Sequence, residues 1–111
     1  MAVTSTVLVA AKTVEAAQTT QYTASNVTTI IDKFTVTNYS SVPVSISVNI
    51  VTYGSTASNS NLIVKARVLQ PSATATFSEL VGQVLTSGCF ISTLASTAGS
   101  INMRVSGREI S

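Results

Sequence analysis

The chain contains no histidine and no tryptophan, and its only cysteine is Cys89. Without imidazole there can be no Ser-His-Asp triad and no histidine proton shuttle at neutral pH, and one thiol does not make a zinc site. The four acids, Glu15, Asp32, Glu79 and Glu109, are well separated, no calcium-loop spacing links them, and no glycine-rich phosphate loop occurs. The expectation is a protein that is not an enzyme and takes neither cofactor nor metal. Cys89 cannot form a disulfide within the chain, which fits assembly in a reducing compartment. With no Lys or Arg close by in the sequence, it reads as a small buried hydrophobe rather than a reactive thiol.

Charge is scarce as well. Charged residues make up 9% of the chain, against about 25% in an ordinary soluble domain. Lys12, Lys33, Lys65, Arg67, Arg104 and Arg108 outnumber the acids to give a net charge of +2. They are scattered and do not interleave with the six aromatics, unlike the basic stripe of a nucleic-acid binder, so no nucleic-acid partner is expected. Long apolar runs are missing too. Val7–Ala11 is too short to span a bilayer and no Lys or Arg precedes it, so neither a membrane segment nor an export signal is expected.

What the chain does have is Ser, Thr and Val, which supply nearly half of it, and a positive mean hydropathy of +0.44. Such a protein presents a hydroxyl-rich surface, and its surplus apolar surface is expected to be covered by another protein. The length, 111 residues, allows one domain with one modest core. From Val42 to Ile50 every even position is apolar and every odd one is Pro, Ser or Asn, the period of two that marks a half-buried strand. Similar writing recurs at 28–38, 62–69, 73–77, 89–95 and 101–108. Asn38-Tyr39-Ser40-Ser41 reads as a hairpin loop that pairs 28–38 with 42–52. Residues 53–61 read as an exposed loop, and 78–85 as a single turn or bulged strand, because Gly82 weakens its helical spacing.

The expected fold is all-β: a single β-sandwich of seven to eight short antiparallel strands, jelly-roll-like, over residues 18–111. Residues 1–17 form an N-terminal arm or edge strand, able to pair in its own sheet or to reach a neighbour.

A few residues stand out against this background. Asp32 falls on the apolar parity of its strand, and a buried lone carboxylate needs a partner, which Arg67, Arg104 or Arg108 can supply. The alternative is that the Ile30-Ile31 step marks a bulge and Asp32 faces water. Arg104, Arg108 and Glu109 lie near the end of the last strand, beside Gly107, either as solvated edge charges or as contacts to a partner subunit. Tyr53, like Tyr22 and Tyr39, sits near a strand end, where tyrosines cap cores or anchor contacts. Tyr53, Arg104, Arg108, Glu109 and Asp32 are therefore the candidate interface residues.

Three segments, Gln18-Thr19-Thr20-Gln21-Tyr22-Thr23, Ile30-Ile31-Asp32-Lys33-Phe34-Thr35-Val36-Thr37-Asn38 and Val105-Ser106-Gly107-Arg108-Glu109-Ile110, resemble small virion proteins of tailed bacteriophages. The nearest likeness is to the capsid decoration, or staple, proteins of the epsilon15-like short-tailed phages, over residues 18–111. That resemblance implies a jelly-roll-like sandwich made in the host cytoplasm and bound, as a homodimer, on the outer surface of an icosahedral head. There it would bridge major capsid proteins and cement the shell. Two alternatives accompany this reading: a phage tail or neck accessory protein, and a glycan-binding adhesive module.

Overall fold

The computed structural model describes residues 2–111. Nine strands follow one another: β1 (Val3–Thr13), β2 (Thr19–Thr23), β3 (Thr28–Asn38), β4 (Val44–Val51), β5 (Leu62–Leu69), β6 (Thr74–Thr76), β7 (Val84–Leu85), β8 (Phe90–Ala95) and β9 (Ile101–Ile110). Among the described residues their only helical interruption is one 3-10 turn, Asn59–Asn61. The first sheet runs β1-β9-β3-β6, with β7 also on β3, and the second runs β2-β8-β4-β5; all pairs are antiparallel. The two sheets pack as a β-sandwich.

The alternation in β4 is the plainest cause of this architecture. Val44, Ile46 and Val48 are buried while Ser45 and Ser47 stay partly exposed, so one face of the strand enters the core. The expected stripe fails at its ends, where Val42 is exposed and, past a register shift against β5, Asn49 and Val51 are buried in place of Ile50. Opposite it, β3 and β9 contribute Ile31, Phe34, Val36, Ile101, Met103 and Val105, all buried. Phe34 stacks on Phe77 with ring centroids 5.7 Å apart. Burying each such side chain contributes about 1.5–3 kcal/mol. Cys89 belongs to this core and lies 3.3 Å from the Thr86 hydroxyl.

Three expectations need correction. The strands number nine rather than seven or eight, and β1, β3 and β9 are long. The additional strand is β2, a polar stretch that pairs with β8. Second, β3 and β4 do not form a hairpin, because they lie in opposite sheets. The segment between them is an arch held by the buried Asn38, whose amide donates to the carbonyls of Val42 (2.8 Å) and Leu69 (2.9 Å) and whose Oδ1 accepts from the Ser40 N–H (2.9 Å). Third, the apolar parity of β3 is not that of Ile30 and Asp32. Thr29 and Ile31 point inward, the register with β9 shifts between Ile31 and Lys33, and inward pointing resumes at Phe34. The bulge at Asp32 turns both charged residues outward.

Only the β4–β5 and β6–β7 connections stay within a sheet. In the latter, Leu80 and Leu85 are buried whereas Val81 and Val84 are exposed, so the helical spacing of 78–85 is not used. The turn closes on β3 instead: Gly82, at φ +86°, donates to the Ile31 carbonyl at 2.7 Å.

Candidate interaction surface

The outer face of the first sheet holds three of the five candidate residues. Arg108 on β9 stands next to Ile30 on β3 and reaches the Asp32 carboxylate with a fork of hydrogen bonds, Nε to both oxygens at 3.1 Å and Nη2 to Oδ1 at 2.9 Å. Both side chains are a little over 40% exposed. Asp32 is thus bulged, exposed and partnered at once, which combines the two sequence readings. Arg67 is elsewhere, paired with Glu79 and lying 4.9 Å from the centre of the Phe77 ring, where it latches β5 to the segment after β6.

Arg104 lies opposite Thr35, and Lys33 opposite Ser106, and these four residues line one shallow depression. Neither cation has an ion-pair partner among the described residues. The fold therefore gathers on one face Lys33, Arg104 and Arg108 with a single acid, Asp32, although these cations are scattered in the sequence. Lys12–Glu15 and Arg67–Glu79 neutralise each other, while Lys65 stands on β5 of the other sheet and Glu109 accepts from the Tyr22 hydroxyl. Three cations against one acid give this face a local charge of +2.

Gly107 makes the local geometry possible. It sits between Thr6 on β1 and Ile31 on β3, and a Cβ there would come within 2.2 Å of the Ile30 carbonyl oxygen. Its role is close approach of three backbones beside the bulge, not an unusual φ.

Glu109 and Tyr53 are not brought to this face. Successive side chains on a strand alternate, and Glu109 instead accepts a 2.5 Å hydrogen bond from the Tyr22 hydroxyl, which also lies 2.7 Å from the Thr29 hydroxyl. This joins β2 of one sheet to β3 and β9 of the other. Burial pushes the Tyr22 phenol up to about 12, and the bond to Glu109 adds to the rise. Tyr53, on the loop after β4, is 77% exposed with its ring against Gly88, where a Cβ would come within 2.5 Å of the ring. Lys33 and the exposed valines of β1, Val3 and Val7, were not singled out in the sequence. The adjacent Asp32-Lys33 pair, two polar residues where one was due, is the signal for Lys33.

A second concave region lies over the other sheet, a groove of about 300 Å³ lined by Gln18, Ser47, Asn49, Asn59, Lys65 and Leu94 among others. The 53–61 loop forms one wall because Asn49 donates to the Ser58 carbonyl and the Asn61 side chain. In the floor, Ala66 adopts a left-handed φ of 46° and its N–H donates to the Ser47 hydroxyl at 2.8 Å.

Among the described residues no three His, Cys, Asp or Glu side chains cluster as a metal site, and no helix is long and apolar enough to cross a membrane. No protein-family model, curated protein or solved structure matches the chain.

Proposed function

We propose that this chain is a structural virion protein, a cement or staple subunit that binds the outside of an icosahedral phage head and bridges neighbouring major capsid proteins. It acts by binding, not by turning over a substrate. The strand order carries the reading. With β6 and β7 counted as halves of one broken strand, eight strands divide as β1-β9-β3-β6/β7 facing β2-β8-β4-β5. This order supports calling the sandwich a jelly roll, an architecture that recurs in viral capsid and lectin domains. Fold alone does not give function. The segments that resemble phage decoration proteins tip the choice toward the capsid, and the positive face on β3 and β9 offers a surface for an acidic partner.

The mechanism is linkage. A subunit that binds the assembled lattice and not the dissociated capsid protein stabilises the lattice by mass action, and contacts repeated by symmetry add avidity. Co-sedimentation with emptied heads of the particle it comes from tests this. Saturable binding that weakens with salt and with Arg104→Glu or Lys33→Glu is expected, whereas a chain that stays in the supernatant at all concentrations contradicts it.

The groove over the second sheet favours one other reading, a glycan-binding module. Its amides and hydroxyls suit sugar hydroxyls, yet no aromatic side chain lines it for stacking. Binding to a glycan array that Asn59→Ala or Lys65→Ala abolishes would favour this second reading over the first.

A further inference from the structure

Each sheet of a sandwich has two edges, and three of the four here are protected against further pairing. On the first sheet, β6 and β7 are only three and two residues long. On the second, β2 has five residues with a register shift between Thr20 and Tyr22. The other edge of that sheet, β5, carries Lys65 and Arg67, a left-handed Ala66 and two register shifts against β4. Short strands, bulges and edge charges are the usual devices against strand addition.

The fourth edge has none of them at its N-terminal half. Strand β1 is eleven residues long and uncharged from Val3 to Ala11. Its pairing with β9 is regular from Val3 to Val7, and the shifts begin only beyond Val7. Val3 and Val7 are 58% and 44% exposed.

The hydrogen-bond phase of this segment can be read directly. Ala2 and Ser111 exchange backbone bonds, N–H to carbonyl at 3.4 and 2.9 Å. Alternation along an antiparallel ladder then directs the N–H and C=O of Thr4 and Thr6 at β9, and those of Val3, Ser5 and Val7 at the open edge. The same five residues, Val3-Thr4-Ser5-Thr6-Val7, read identically in both directions.

We infer that β1 pairs edge to edge with β1 of a second copy about a two-fold axis through Ser5. The inference rests on the reading of the chain as an assembly component and names the surface by which copies join. Antiparallel pairing about Ser5 sets Ser5 against Ser5, Val3 against Val7 and Thr4 against Thr6. The outward-directed groups of the three odd residues meet in register and form about six backbone hydrogen bonds. An isologous contact requires a self-complementary patch, and a palindromic strand whose bonding phase centres on its middle residue is one. The uncharged edge gives a charged partner nothing to complement, whereas its own copy matches it residue by residue.

Sedimentation equilibrium of the full chain tests this with two variants. Ser5→Pro removes an N–H that no intrachain bond uses, so the fold, followed by circular dichroism, is retained while the dimer dissociates at least about tenfold more readily. Ser5→Cys forms a reducible cross-linked dimer on mild oxidation much faster than Thr35→Cys, which lies on the same outer face away from the axis. A wild-type chain that is monomeric throughout, a dimer that Ser5→Pro leaves intact, or equal cross-linking of the two cysteine variants would overturn the inference. Binding to heads is read separately. A monomer that still sediments with heads sinks the self-pairing and spares the proposed function, and a β1-paired dimer that ignores heads does the reverse.

Discussion

At position 107 a methyl group would meet the Ile30 carbonyl oxygen at 2.2 Å and the Leu8 side chain at 2.9 Å. The first obstacle is backbone in the centre of a sheet, which cannot rotate away. Gly107→Ala is therefore expected to cost about 3 kcal/mol, measured as the shift in the urea midpoint at unchanged slope. Tyr22 makes a different kind of residue-level prediction. Its phenol is raised from the ordinary value of 10 to about 12, chiefly by burial and then by the bond to Glu109. A group whose folded pKa is raised contributes stability that is complete below its unfolded pKa and is lost as pH climbs through the folded one. Stability should therefore fall between pH 10 and about 12, and Tyr22→Phe should flatten that part of the curve.

Elements show which parts of the fold were legible and why. In β4 the period of two is plain in the sequence, and Val44, Ile46 and Val48 are buried as it requires, but Val42 is exposed and beyond Val48 the buried positions shift to Asn49 and Val51, where the register with β5 slips. In β2 there is no such period: Thr19–Thr23 is polar apart from Tyr22, and it is a strand because β8 supplies a partner, a non-local cause. In β3 the parity cannot be read across the Asp32 bulge, although the Ile30-Ile31 step hints at the bulge itself. The β3–β4 arch reads as a hairpin in the sequence because turn residues signal a reversal without saying in which sheet the chain lands. Of the candidate residues, Asp32, Arg104 and Arg108 share a face only because β3 and β9 are neighbours, which sequence order does not reveal.

Two element-level measurements follow from this account. Asn38→Ala takes the amide donor from the Leu69 carbonyl and leaves the Val42 carbonyl only the Ser40 hydroxyl, at a cost of about 1–3 kcal/mol. Asp32→Ala should cost less than about 1 kcal/mol, and less still at high salt, because the ion pair with Arg108 is exposed to solvent. Denaturant titrations of the two variants side by side would show the larger effect at the uncharged residue.

On the scale of the molecule, a hydroxyl-coated sandwich gathers three of its six cations on one face and leaves one strand edge open. Those two features lie on the same sheet, so a pair of copies joined at β1 presents two positive faces side by side. That arrangement suits a clamp laid across neighbouring subunits of a shell. The proposed cement role is tested most directly by the temperature at which phage heads lacking this chain release their contents, with and without purified protein added back. The account predicts release at lower temperature in its absence and recovery on addition, with Arg104→Glu protein failing to restore it. Equal release temperatures for heads with and without the chain would contradict it.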